Sequence, residues 1–383
     1  MKVVMECDPL SQQFRTGIPY YIEFLCAAML EIAAPDFDLT LLSKVVAGDP
    51  LPEYANKNFL GKPSIPLPNL PRRVLERAWR SVLAGVPAWA DVQHLPYPEF
   101  PTRRRGKHTR LVCTIHDLSY KRFPDVIENP KYLQHLHRAL ETQTRKSDAL
   151  IAGSLAAKND VIEFFDVPPE KIHVVYHGTE LKAPQPNEWE EWVCEEFARR
   201  AIPERYLLSV GTLEPRKNLT LLLHAAHQVR DKLRETNTKI CFVGARGWKF
   251  APVENLIAEL QLQEFIVRPG YVPRALLPHL YARSVAFVYP SLYEGFGLPV
   301  LEALACGAPV ITSNVSALPE VAGDAALLVD PQSASELAGA IQKVLYDEAL
   351  QQQLRREGFL QARKFSWQKA ARETIEVYQA AMN

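Results

Sequence analysis

Two carboxylates, Glu294 and Glu302, frame the stretch Pro290-Ser291-Leu292-Tyr293-Glu294-Gly295-Phe296-Gly297-Leu298-Pro299-Val300-Leu301-Glu302. Its glycines let a ligand approach the backbone closely, and free N–H groups at a helix start favour an anion. Carboxylates beside such an anion site suit a neutral polyhydroxyl group, because they accept hydrogen bonds from hydroxyls. A phosphate and a sugar side by side describe a nucleotide-sugar. Two cations, Arg216 and Lys217, stand in a second glycine-bearing segment, Gly211-Thr212-Leu213-Glu214-Pro215-Arg216-Lys217-Asn218. Positive groups and helix N-termini stabilise charge that builds on a departing diphosphate. A third segment, Ile115-His116-Asp117, offers an imidazole that donates or accepts a hydrogen bond.

Strands and helices must position these groups. The Glu294 loop follows an apolar run, Val285 to Tyr289, and leads into a helical pattern. Pro299 suits the first turn of that helix and Gly307 its stop, before Pro309 to Thr312 starts another strand. Arg216 and Lys217 follow the strand Tyr206 to Val210 and precede a helical segment, Leu219 to Val229. His116 follows the strand Leu111 to Ile115. All these groups thus fall at carboxyl ends of strands, where open α/β sheets bind ligands. Further strands are expected from Met1 to Cys7 and at Leu39 to Leu42, Ala149 to Ile151, Ile172 to Tyr176, Lys239 to Val243 and Phe265 to Val267. Alternation of short apolar runs with amphipathic helices argues for parallel sheets with crossover helices. A chain of 383 residues exceeds one ordinary core and predicts two domains. The boundary falls near Thr179 to Asn187, where Lys182-Ala183-Pro184-Gln185-Pro186-Asn187 reads as a linker. Residues 49–110 read as irregular and proline-rich, and Phe365 to Met382 as a terminal helix.

Glu294 and Glu302 resemble the Glu-x7-Glu signature of the family 4 retaining glycosyltransferases, and the Gly211 and His116 segments resemble two further motifs of that family in matching order. The resemblance runs from about Gly17 to the end of the chain and is most similar to bacterial mannosyltransferases of polysaccharide assembly. It implies the GT-B fold: two Rossmann-like α/β domains facing across a cleft, with a C-terminal helix crossing back onto the N-terminal domain. On that pattern residues 1–185 form the acceptor-binding domain, 186–364 the nucleotide-sugar domain, and 365–383 the returning helix.

The same resemblance assigns roles. Arg216 and Lys217 contact the diphosphate. Glu294 holds hydroxyls of the transferred sugar and Glu302 the ribose, while Gly295, Phe296, Gly297 and Leu298 lie by the sugar and phosphate. His116 faces the donor sugar. Asp117 has two open roles, orienting the neighbouring backbone or contacting the acceptor. Gly17, Gly211 and the segment Gly270-Tyr271-Val272 join the donor site, the last through backbone contacts with the base. Two departures stand out. Thr212 occupies a position where many relatives have an arginine, and Thr16-Gly17-Ile18-Pro19 has one glycine where relatives often have two. The implied reaction is metal-independent hexosyl transfer with retention, by front-face displacement and with closure of the domains over the donor. The expected donor is GDP-mannose and the expected acceptor a glycan or lipid-linked glycan in cell-surface polysaccharide synthesis, lipopolysaccharide included. A UDP-sugar donor, an epimerase or hydrolase of the same fold, and a non-catalytic subunit that binds nucleotide-sugar or glycan are the alternatives.

Composition bounds the remaining classes. Hydrophobic residues make up 47% of the chain and charged residues 23%, as in a soluble globular protein. Lys+Arg and Asp+Glu are both 44, which argues against bulk nucleic-acid binding. Six cysteines with no Cys-x-x-Cys pair read as reduced core residues in a cytoplasmic protein. The first residues read as a strand and not a signal peptide, and no run reaches transmembrane length. The basic stretch Arg72 to Leu83 has two readings: a peripheral contact with the anionic inner face of a cell membrane, or an ordinary surface helix. No third ligand stands near the pairs His135/His137 and His224/His227, so metal binding is not expected. Gly244-Ala245-Arg246-Gly247 lacks the spacing of a phosphate-binding loop.

Overall fold

The computed structural model describes residues 1–7, 17–32, 34–42, 89–99, 106–124, 129–185, 191–247 and 251–383. The stretch Arg72 to Leu83, together with its expected membrane contact, lies outside these residues. Two compact units emerge: Met1–Gly178 with Ser366–Asn383, and Thr179–Phe365. The first boundary thus falls after Gly178, ahead of the expected residue 185. The second falls after Phe365, one residue beyond the expected 364.

The N-terminal unit holds six strands: β1 (Lys2–Glu6), β2 (Asp38–Leu42), β3 (Val92–Leu95), β4 (Arg110–Ile115), β5 (Ala149–Ala152) and β6 (Ile172–Val174). They form one sheet in the order β2-β1-β3-β4-β5-β6, and every pair is parallel. Alternate side chains feed opposite faces, and the inner strands β4 and β5 are apolar on both. Val3, Met5, Val112 and Ile151 face one cluster, and Leu111, Cys113, Ile115 and Leu150 another. The terminal helix starts at Trp367 and not Phe365, because Ser366 caps it by accepting the Lys369 N–H at 3.1 Å. Trp367, Ala370, Val377 and Tyr378 from this helix enter the first cluster, packed on the helix Ile18–Ile32.

Strand β3 corrects the expectation of an irregular stretch over 49–110. Its sequence Val-Gln-His-Leu lacks an apolar run, yet all four residues are buried. His94 stays inside because both ring nitrogens are partnered, Nδ1 with the Tyr378 hydroxyl at 2.7 Å and Nε2 with Thr114 Oγ1 at 2.8 Å. Burial lowers its pKa to about 3, so the ring is neutral.

The C-terminal unit holds β7 (Tyr206–Val210), β8 (Lys239–Val243), β9 (Ile266–Gly270), β10 (Ala286–Tyr289), β11 (Val310–Ser313) and β12 (Ala326–Val329). Their order is β12-β11-β10-β7-β8-β9, again all parallel. This is the doubly wound order, which reverses between β7 and β10. Strand β9 starts one residue later than expected because Phe265 ends a 3-10 turn, and it tolerates Pro269 as an edge strand. Strand β12, on the opposite edge and partly exposed, was not anticipated.

Candidate functional site in the C-terminal unit

The reversal between β7 and β10 brings two loops together. After β7 the chain passes Gly211 to a 3-10 turn, Pro215–Lys217, and the helix Leu219–Gln228. Following β10 it passes Pro290 to Gly297 and the helix Leu298–Ala305. Asn218 pins the loops: its Nδ2 donates to the carbonyls of Pro290 at 3.0 Å and Pro331 at 2.8 Å. The Leu292 N–H and the Ser291 hydroxyl both donate to the Arg216 carbonyl, each at 2.9 Å. A third loop supports the first. A Cβ on Gly244 would lie 1.9 Å from the Gly211 carbonyl oxygen, so only glycine allows this approach. Gly244-Ala245-Arg246-Gly247 is therefore a buttress for the Gly211 segment.

Lys217, Arg216 and Glu294 form one buried charge cluster. Lys217 Nζ donates to Glu294 Oε1 at 2.7 Å and to the Tyr289 hydroxyl at 2.6 Å. That hydroxyl donates to Glu294 Oε1 at 3.0 Å, and Ser291 Oγ lies 2.7 Å from the same oxygen, so its single proton is shared between Glu294 and the Arg216 carbonyl. Arg216 Nη1 reaches Glu294 Oε2 and the Tyr293 carbonyl, both at 2.8 Å, and Nη2 reaches Glu214 Oε1 at 2.7 Å. Burial by itself would raise the Glu294 carboxyl, but Arg216 and Lys217 overcome it and bring the pKa down to about 2. Burial, aided by Arg216, lowers the Lys217 ammonium, while Glu294 and Glu214 oppose it. Lys217 keeps one of its three protons for another acceptor, and Glu294 Oε2 keeps a lone pair. Arg216, by contrast, has its fork turned onto protein acceptors. Glu214, Tyr289 and Ser291 were not singled out in the sequence. Glu214 stood inside a quoted motif, whereas Tyr289 looked like any apolar strand residue.

The second carboxylate is set differently. Glu302 lies one helical turn into Leu298–Ala305, buried, with Oε1 2.9 Å from Arg274 Nη2 and Oε2 3.2 Å from the Tyr281 hydroxyl. Burial raises its pKa despite Arg274. Gly297 caps this helix at φ +101°, and among the described residues the N–H groups of Gly297 and Leu298 have no acceptor. Pro299 sits in the first turn as expected. Gly307 ends the helix at φ +74°, with the Ala308 N–H returning to Ala303 and its own N–H to Leu304. Phe296 is buried, and Gly295 continues the same loop. Gly270 has φ +75° and open space where a Cβ would stand. Beyond it the Tyr271 ring is exposed and Val272 is buried, and Arg200 Nη1 holds the Tyr271 carbonyl at 2.8 Å.

In the N-terminal unit, His116 follows β4 with its Nε2 2.8 Å from the Pro96 carbonyl. A carbonyl only accepts, so Nε2 carries the proton and Nδ1 is left as an acceptor. Burial holds the ring below the ordinary histidine pKa. The sequence left both donor and acceptor roles open, and the geometry selects acceptor. His116 lies edge-on to Tyr21, with ring centroids 4.7 Å apart, and beside His177 at 5.7 Å. Asp117 Oδ1 accepts the Ser119 N–H at 2.9 Å, which orients the local backbone. Gly17 adopts φ +55° at the start of Ile18–Ile32, with nothing near its Cβ position. Among the described residues, no three His, Cys, Asp or Glu side chains are grouped to hold a metal ion, and no helix is long and apolar enough to cross a membrane.

Residues 28–183 match the family described as Glycosyltransferase Family 4, and residues 195–361 match Glycosyl transferases group 1. The sequence is 31% identical over 391 aligned positions to the O-antigen chain mannosyltransferase B of Escherichia coli, across 99% of both chains. Among solved structures, the sucrose-phosphate synthase of Thermosynechococcus elongatus is similar at a TM-score of 0.72 and 20% identity, over 99% of this chain and 98% of that one. WaaG, a glycosyltransferase involved in lipopolysaccharide biosynthesis, is similar at a TM-score of 0.70 and 17% identity, over 98% and 99% of the two chains.

Proposed function

This chain belongs to the family 4 glycosyltransferases and has their GT-B fold, and we propose that it moves mannose from GDP-mannose to a glycan or lipid-linked glycan in cell-surface polysaccharide synthesis. The observation that carries the reading is the buried Lys217–Glu294 pair beside the open N–H groups of Gly297 and Leu298. It offers a proton donor and a helix N-terminus to a diphosphate, and an ionised carboxylate to sugar hydroxyls. The mannosyltransferase relative that matches along the whole chain favours mannose as the sugar.

Lys217 donates its remaining N–H to the diphosphate, joined by the amides of Gly297 and Leu298. Arg216 works one step back, fixing Glu294 between its own guanidinium and Lys217. Through its free Oε2 lone pair, Glu294 accepts from a hydroxyl of the mannosyl group. Glu302 accepts from the ribose diol, and the backbone at Gly270 to Val272 lies along the base. His116 accepts a sugar hydroxyl at Nδ1, and Asp117 keeps one oxygen for the acceptor. The acceptor oxygen forms its bond to the anomeric carbon on the face from which the diphosphate leaves, and the departing phosphate oxygen takes the acceptor proton. Configuration is retained without a protein nucleophile. The charge that a metal ion would neutralise is met by Lys217 and the helix N-terminus.

A thermal-shift panel of GDP, UDP and ADP tests the donor, because a ligand that binds only the folded state raises Tm by mass action. GDP alone is expected to shift the protein, and NMR of the product should show the donor's anomeric configuration. A selective UDP shift overturns GDP-mannose. No shift with any nucleotide in folded protein moves the assignment to a non-catalytic subunit.

A further inference from the structure

A buried carboxylate accepts well from a diol only while it is ionised, and burial favours its neutral form. Glu302 faces that conflict, and one residue outside the family motifs answers it. Arg274 opens the 3-10 turn Arg274–Leu276, which Pro273 joins to the Gly270-Tyr271-Val272 segment. Its Nη2 donates to Glu302 Oε1 at 2.9 Å. The same guanidinium donates from Nε to Glu180 Oε1 at 2.5 Å and pairs with that oxygen through Nη2 as well. One cation is thus shared between two carboxylates, and the buried Glu180 Oε2 has no hydrogen-bond partner.

We propose that Arg274 is the positioning residue for nucleotide recognition: it holds Glu302 as a ribose-diol acceptor and ties that carboxylate to the segment lying along the base. This rests on the nucleotide-sugar reading of the site. Arg274 and Tyr281 occupy one position on each Glu302 oxygen, which leaves one lone pair on each for a vicinal pair of hydroxyls. The groups facing Glu302 are Arg274, Glu180, Tyr281 and Cys306. Burial raises the Glu302 carboxyl most, and Glu180 adds to it, while Arg274 and Tyr281 pull it down. Glu180 therefore works against Glu302 by drawing on the same cation. A lysine at 274 would not replace this arginine, because bridging two carboxylates needs the planar fork.

The test is the pH dependence of the Kd for GDP and for 2′,3′-dideoxy-GDP, with UDP and its dideoxy form in parallel. Wild-type protein, Arg274→Ala and Glu180→Gln are compared by calorimetry across the whole pH range in which the protein stays folded, from the ordinary carboxylate range upward. Binding requires ionised Glu302, so GDP affinity falls as pH drops through the Glu302 pKa. Arg274→Ala moves that fall to higher pH and weakens GDP by on the order of tenfold at the acid end of the range, with recovery toward the alkaline end. Glu180→Gln moves it to lower pH. For the dideoxy nucleotides, which lack the diol, all three proteins show no such pH dependence. Equal weakening of GDP and dideoxy-GDP by Arg274→Ala at every pH overturns the proposal, as does a Glu180→Gln profile unchanged from wild type. The second comparison stands even where Arg274→Ala does not fold. If the wild type binds neither GDP nor UDP, the nucleotide-sugar reading itself has failed, an outcome separate from nucleotide binding whose pH profile ignores Arg274.

Discussion

Glu294→Gln gives a direct reading of the charge cluster, because glutamine has the shape of a neutral glutamate. The Glu294 carboxyl is held at about 2, against an ordinary value of 4.5. By linkage that gap corresponds to about 3 kcal/mol of stability at neutral pH. A depressed carboxylate contributes fully above its unfolded pKa and loses the contribution as pH falls toward its folded pKa. The same two values give about 2 kcal/mol at pH 3.5 and less than about 1 kcal/mol at pH 2. A glutamine at 294 cannot ionise, so the difference between wild type and variant must shrink along this curve. Urea unfolding at pH 7, 5 and 3.5, resolved onto the C-terminal unit by hydrogen exchange across residues 206–243, measures it. The variant should be less stable by about 3 kcal/mol at pH 7, with the gap narrowing by about two fifths at pH 3.5. A gap that is absent at pH 7, or constant down to pH 3.5, would refute the claim that Arg216 and Lys217 hold Glu294 ionised.

Other predictions concern chemistry and packing. Lys217→Ala should lower kcat by about 10²–10³, the loss typical of removing one charge-stabilising donor, when GDP-mannose consumption is followed. Gly244→Ala should misplace the Gly211 loop, since its Cβ would meet the Gly211 carbonyl oxygen at 1.9 Å. A loss of about 2 kcal/mol or more is expected in thermal or urea unfolding, together with weaker nucleotide binding. Gly297→Ala combines φ +101° with a Cβ 2.9 Å from Leu318 Cδ2, and it should cost about 1 kcal/mol or more in the same assay. Chelation with EDTA should leave initial rates unchanged, and a loss restored by Mg²⁺ or Mn²⁺ would contradict the charge assignment made for Lys217 and the helix N-terminus.

The sequence was most legible where function and fold ask for the same residues. Apolar runs at Tyr206 to Val210 and Lys239 to Val243 coincide with β7 and β8, since central parallel strands are buried on both faces. Pro299 and Gly307 marked both ends of one helix because each has a backbone reason to be there. Strand β3 was not legible. Its His94 looks like a surface residue until Tyr378 and Thr114, distant in sequence, take up the imidazole. For the same reason Arg274 gave no signal, because its meaning lies in Glu180 and Glu302, far from it along the chain. Arg216 pointed at the diphosphate through its motif, and its pairing with Glu214 and Glu294 could be read only from the structure.

The two glutamates of one signature end in opposite electrostatic states, and that difference separates their tasks. Both are buried, so burial raises each carboxyl first. Two cations then meet Glu294, Lys217 and an Arg216 that also pairs with Glu214, whereas Glu302 has only Arg274 and shares it with Glu180. Glu294 is consequently a fixed anion across the whole working pH range, suited to holding Lys217 in place and gripping the sugar at the reacting centre. Glu302 is a carboxylate whose charge responds to its surroundings, suited to an equilibrium contact with the leaving nucleotide. Environments that push paired carboxylates apart commonly mark a division of labour. Here that predicts that acid pH weakens nucleotide affinity before it touches turnover of saturated enzyme, so KM for GDP-mannose should rise as pH falls while kcat holds. A parallel fall of both would assign the titration to the reacting centre and break the division drawn between Glu294 and Glu302.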